Sequence, residues 1–247
     1  MIKDGKQDEV LVDSVLLIGQ SNMAGRGNME DVPPIRDKRC FMLRNGRWQP
    51  MREPINPDRP IFEGMYRSGV GLSASFAGDY AKYFDHPVGL IPCADGGTSM
   101  DQWMPGDILY DHAVCLTKLA QRTSRLKAIL WHQGESDCHD EALVDSYAQR
   151  FAYMINSLRK DLDAEDVPVI IGQLHSGYSE KWGLGEMPKK LNGVFDEIAR
   201  QLPHCAVASA QGLQLKEDGL HFNAVSLREF GSRYFQKYLG LQKDLLE

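Results

Sequence analysis

Short apolar runs of strand length alternate with amphipathic stretches of helix length along most of this 247-residue chain. That alternation constrains its fold more than any other feature. The runs Ser14–Ile18, Val88–Pro92, Ala128–His132, Val167–Gln173 and Cys205–Ala208 are rich in branched residues, with turn residues nearby,. Between them, Leu72–Phe84, Leu109–Gln121, Glu141–Lys160 and Pro188–Gln201 carry helical periodicity, and a last such stretch covers Ala224–Leu239,. Continuous apolar runs belong to parallel strands buried on both faces, and parallel strands need right-handed crossovers. The expected fold is therefore α/β, a three-layer α/β/α arrangement around a doubly wound parallel sheet. With 43% hydrophobic residues, a chain of this length buries a core without metals or disulfides, so one domain over residues 1–247 is expected. The Pro-rich region from Pro33 to Pro60 reads as a long loop within that domain.

Charge and cysteine usage remove several function classes. A net charge of -6, with no Lys/Arg run longer than a pair, argues against a nucleic-acid surface and favours a neutral substrate over a polyanion. Five cysteines lack CxxC spacing and cannot all pair within one chain, so reduced, mostly buried thiols are expected. No run approaches the roughly 20 apolar residues of a membrane span, and the opening MIKDGKQDEV has no apolar signal core,. The expectation is a cytoplasmic protein without a membrane partner; the sequence carries no sign of its oligomeric state.

In doubly wound sheets ligands sit beyond the carboxyl ends of the strands, and the unusual clusters fall there: Gly19–Gly27, Cys93–Trp103, Trp131–Asp137 and, on a later loop, Asp218–His221. The first delivers Ser21 into a tight turn where its hydroxyl can attack a carbonyl and its own N–H can help hold an oxyanion. Its plain alternative is a helix N-cap. The second brings two adjacent glycines within reach of a ligand, with Gly97 or Gly96 as an oxyanion donor, or simply a turn; Asp95, Thr98 and Ser99 can orient it. In the third, the Gln133 amide can donate to an oxyanion, an interaction worth about 3 kcal/mol, or cap a surface turn. Glu135 can orient an imidazole or favour the start of the next helix. His132, Glu135 and His139 raise a metal reading, but Gly134 and the Ser136-Asp137 pair disfavour one helical face, so no metal is expected. The fourth sets Asp218 three residues before His221, so that Asp218 can accept the imidazole Nδ1–H while Nε2 faces Ser21.

Together these clusters resemble the block pattern of the SGNH hydrolase superfamily, and within it the sialate O-acetylesterase and carbohydrate esterase family six branch. GQSNM stands at Gly19–Met23, GGTS at Gly96–Ser99, WHQGE at Trp131–Glu135 and DxxH at Asp218–His221. The resemblance implies a flavodoxin-like sheet and an acetyl esterase acting on carbohydrate, of acetylxylan or sialate type. It implies Ser21 as nucleophile, His221 as base, and Ser21, a glycine of the Gly96-Gly97 pair and Gln133 as oxyanion donors, with no cofactor. Gln133 stands where many superfamily members carry asparagine. Asp218 is expected to orient His221 with Glu135 contributing, and Gln20, Asn22, Thr98 and Trp103 to touch a small-molecule or oligosaccharide acetyl ester. Trp103 and Trp182 can stack on sugar rings or pack in core and lid. The loops Pro33–Gly64 and Tyr178–Met187 are expected to shape the site. Rival readings are a lipid or thioester hydrolase on the same scaffold and a silent carbohydrate-binding protein.

Overall fold

The computed structural model describes residues 11–58, 61–62 and 67–244. The MIKDGKQDEV segment and part of the Pro33–Gly64 loop lie outside them. Seven strands, β1 (Val12–Gly19), β2 (Cys40–Arg44), β3 (Arg47–Pro50), β4 (Val88–Pro92), β5 (Ser124–His132), β6 (Val169–Gly172) and β7 (Cys205–Ala208), form one sheet in the order β3-β2-β4-β1-β5-β6-β7. Every pairing is parallel except β2 with β3. Along β1, Leu16 and Ile18 join one apolar cluster while Val15 and Leu17 join the other, which is why the run is apolar throughout rather than alternating.

The helices are α1 (Ser21–Ala24), α2 (Ser73–Phe84), α3 (Ile108–Gln121), α4 (Glu141–Asp145), α5 (Tyr147–Asp161), α6 (Tyr178–Trp182), α7 (Met187–Gln201) and α8 (Ala224–Asp244). Three expectations need correction. The Pro-rich region is not all loop, because it holds the β2–β3 hairpin. Asn45 and Gly46 turn that hairpin at φ 52° and 71°, the Asn-Gly conformation of a tight two-residue connection. The stretch Glu141–Lys160 is two helices that meet at Ser146, and the Tyr178–Met187 loop begins with helix α6.

Strand β1 lies between β4 and β5, where the winding direction reverses. The segments that follow these three strands carry Ser21, Gly96-Gly97 and Gln133–Glu135, so the reversal gathers all three at one sheet edge. Four of the five cysteines, all free thiols, are buried, and Cys115 is exposed. Among the described residues no helix is long and apolar enough to cross a membrane.

Candidate active site

Close backbone approach directs β1 towards the site. Gly19 has φ 125°, and a Cβ there would lie 2.2 Å from the His132 carbonyl oxygen, so only glycine lets β1 end against β5. Gln20 N–H donates to that same carbonyl at 2.9 Å, and the chain then turns into α1 with Ser21 as its first residue. The loop ahead of α8 supplies the other half. Leu215 and Phe222 form an isolated bridge across it, and Lys216 N–H donates to the His221 carbonyl at 2.7 Å. Inside this tight loop Asp218 Oδ1 accepts from the backbone N–H groups of Leu220 and His221, each at 2.9 Å.

The carboxylate so fixed meets the imidazole. Asp218 Oδ2 lies 2.8 Å from His221 Nδ1, and His221 Nε2 lies 3.0 Å from Ser21 Oγ. An ionised Asp218 only accepts, so the Nδ1 proton points to it and the Nε2 lone pair faces the serine. Burial alone would raise the Asp218 pKa, but the backbone and ring N–H groups of His221 and the Leu220 N–H hold it below the ordinary carboxylate value. The backbone N–H groups of Ser21, Gly96 and Gly97 donate to no other group among the described residues. Gly97, at φ 74° with nothing within 4 Å of a built Cβ, presents its backbone openly to the cavity.

Other expected site residues take different places. Gln133 is fully buried, and both its amide hydrogens are spent, on the Thr98 carbonyl at 3.0 Å and Asp137 Oδ2 at 2.6 Å. It therefore holds the glycine loop from behind rather than offering a third donor to an oxyanion. Thr98 hydroxyl donates to the Asp95 carbonyl and accepts from Trp103 Nε1. Trp103 is 1% exposed and lies edge-on to Trp131. Both lock the turn and pack the core instead of touching substrate. Asn22, 1% exposed, bonds to Glu135, Leu220 and Phe222. Among the described residues Glu135 is joined to the His221 loop through Asn22 and makes no bond to the imidazole. Gln20 lines the cavity but is nearly buried.

The cavity over Ser21 has a volume of about 250 Å³. Besides Ser21, His221 and the glycines, its walls include Arg26, His139, Tyr178, Trp182 and Leu220. Trp182 is 47% exposed and donates its Nε1–H to the Asp218 carbonyl at 3.3 Å. Tyr178 hydroxyl donates to the Glu135 carbonyl and lies 3.3 Å from His139 Nε2. Arg26, Leu220 and Asp137 were not legible as site residues. Asp137 had one usable signal, its position one helical turn beyond Gln133 inside the polar third cluster.

The model of the family described as "Carbohydrate esterase, sialic acid-specific acetylesterase" matches residues 12–240. A probable carbohydrate esterase of Arabidopsis thaliana is 32% identical over 246 residues, spanning 91% of this chain and 89% of that one. A solved Arabidopsis thaliana structure superposes with a TM-score of 0.83 at 29% identity, covering 93% of this chain and 98% of that one. A carbohydrate acetylesterase from Xanthomonas citri matches with a TM-score of 0.62 at 17% identity, over 93% of this chain and 56% of that one, and at that distance supports the fold alone. With a family match across nearly the whole described chain and the four motifs folded onto one sheet edge, the protein belongs to the carbohydrate esterase, sialic acid-specific acetylesterase family and is a carboxylic ester hydrolase.

Proposed function

We propose that the chain removes acetyl groups from O-acetylated carbohydrates by two-step acyl transfer through Ser21. The observation that carries this reading is the continuous relay Asp218–His221–Ser21, at 2.8 Å and 3.0 Å, beside backbone N–H groups that donate to no other group among the described residues. His221 Nε2 takes the Ser21 Oγ proton as Oγ attacks the acetyl carbon. The oxyanion of the tetrahedral intermediate is held by the Ser21 N–H and a glycine N–H of the Gly96-Gly97 pair. Collapse breaks the bond to the sugar oxygen, which leaves with the proton from His221. Water, giving a proton to the same nitrogen, attacks the acetyl-serine, and acetate departs as Oγ recovers the proton. No metal or organic cofactor enters this scheme.

The carbohydrate half of the reading is supported by the family and by the mouth of the cavity. A space of about 250 Å³ accepts an acetyl group and part of one ring, and the exposed Trp182 indole offers a flat apolar surface beside it. The test compares acetate release from 4-nitrophenyl acetate, acetylated xylo-oligosaccharides and acetylated sialic acid by the wild type and Ser21→Ala. Ser21→Ala is expected to lose about 10³-fold or more of kcat. Near-wild-type rates in that variant overturn the mechanism. Rates that climb from acetyl to octanoyl esters replace the sugar acetate with a lipid substrate.

A further inference from the structure

We propose that Asn22 is a positioning residue for the catalytic histidine, fixing the distance between His221 and Ser21 from a buried carboxylate beneath both. The inference rests on the serine mechanism above. Asp218 orients the imidazole, but it belongs to the same short loop and cannot set where that loop stands relative to α1. Asn22, the residue after the nucleophile, can. Its Oδ1 accepts from Phe222 N–H at 3.1 Å and its Nδ2 donates to the Leu220 carbonyl at 3.2 Å. These are the two residues that flank His221. The other Nδ2 hydrogen goes to Glu135 Oε1 at 2.6 Å. One side chain thus joins the nucleophile turn, the base loop and the end of β5, with its donors and its acceptor all engaged inside the protein.

The anchor is itself held. Burial would raise the Glu135 pKa, yet the neighbouring His132 imidazole and the Asn22 amide keep it below its ordinary value, so a carboxylate stands ready for Nδ2,. His132 Nε2 lies 3.4 Å from Glu135 Oε1. On the ring's other side, Nδ1 lies 3.1 Å from Tyr234 hydroxyl, which donates to the Trp131 carbonyl at 2.9 Å. His132, tied through Tyr234 to helix α8 and strand β5, stands against Glu135; Glu135 accepts from Asn22, and Asn22 braces the loop of the base. The loop's remaining side-chain ties are closer to solvent: Lys216 Nζ to the Arg26 carbonyl, Lys181 Nζ to the Glu217 carbonyl and Trp182 Nε1 to the Asp218 carbonyl. Aspartate at position 22 would set carboxylate against carboxylate, and alanine would release all three bonds.

The test measures fluorophosphonate labelling and 4-nitrophenyl acetate kinetics for wild type, Asn22→Ala and Glu135→Gln, with the fraction of chains labelled at completion recorded for each. A misplacement near 1 Å costs about 10²-fold. Asn22→Ala is expected to label at close to one per chain but about 10²-fold more slowly, with kcat falling in step and KM nearly unchanged. Glu135→Gln keeps an oxygen but not the charge for Asn22 Nδ2 and should lose roughly three- to tenfold. It supplies the reading if Asn22→Ala does not accumulate folded. A wild-type labelling rate in Asn22→Ala overturns the proposal, or in Glu135→Gln where Asn22→Ala does not accumulate, as does a rate loss that only mirrors a smaller labelled fraction, the mark of a merely structural role. A wild type that resists labelling altogether, with Ser21→Ala still active, instead overturns the serine mechanism beneath it.

Discussion

Trp103 and Trp182 both donate an indole N–H into the loops that carry the reacting groups, Trp103 to Thr98 Oγ1 and Trp182 to the Asp218 carbonyl. They lie in opposite environments. Trp103 belongs to the floor of the site, where His132, Gln133, Glu135 and Asp137 are all buried and exchange bonds across the ends of strands. Trp182 belongs to the mouth, with His139 and Gly97 exposed around it. The floor holds its geometry through the buried bonds of Gln133, Asp137, Glu135 and Asn22, the kind of polar network that rigidifies a core. The mouth leaves apolar and polar faces open to a ligand. Placement of the chemistry is thus separated from contact with the substrate, and the two regions should respond differently to substitution.

The largest difference should come from the floor tryptophan. Trp103→Ala empties a buried site against Trp131 and is expected to cost about 3–5 kcal/mol in urea unfolding. Asp137→Leu comes next. Asp137 accepts from Gln133 Nε2, from Met100 N–H at 3.0 Å and from Arg150 Nη2 at 3.1 Å, so its loss strands two buried donors. Arg150 keeps Asp101 as a partner at 2.6 Å, which limits the damage to about 3 kcal/mol. Because Gln133 and Met100 flank the Gly97 turn, kcat should fall as well. Full stability in either variant would erase the distinction between floor and mouth.

The chemistry was more legible than its support, for a physical reason. Ser21 and His221 sit where their spacing from strand and helix boundaries requires a turn, and Asp218 lies within one loop of its partner, so local sequence carries the relay. Asn22, Thr98 and Trp103 also lie beside reacting groups, and polar or aromatic residues there look alike whether they face the ligand or the core. The direction of Asn22 is decided by Phe222, 200 positions away, while Trp103 packs edge-on to Trp131 and holds the Thr98 hydroxyl inward. Gln133 shows the same limit, since its amide suits an oxyanion hole and equally suits the bonds that consume it. The β2–β3 hairpin had a local signal in Asn45-Gly46, but the surrounding prolines obscured it.

Titration separates Asp218, at the edge of the mouth, from the floor. Its folded pKa lies below the ordinary carboxylate value, so the unfolded chain takes up the proton first as pH falls. The contribution is complete above about pH 4 and disappears as pH drops through the lower folded value. Asp218→Asn should therefore flatten the loss of stability below about pH 4, read as urea midpoints against pH, and leave the slope above it unchanged. An unchanged acid limb would show that the Asp218 contacts with His221 and Leu220 carry no net stabilisation.

The smallest effect on folding, and the one that sharpens the comparison most, belongs to Trp182→Ala. Nearly half the indole is already in water, and its one polar bond ends on a backbone carbonyl at the protein's edge. Stability should stay within about 0.5 kcal/mol of wild type. If the ring face meets sugar, the loss appears instead in binding. An aromatic contact contributes about 0.5–1.5 kcal/mol, which converts to a KM raised about 2- to 12-fold for acetylated oligosaccharides. Ethyl acetate, which has no ring to stack, should be hydrolysed at unchanged kcat/KM. Equal losses on both esters would assign Trp182 to the Asp218 loop and the placement of His221, and a stability loss beyond about 2 kcal/mol, in the range of core truncations, would move it from the mouth to the floor.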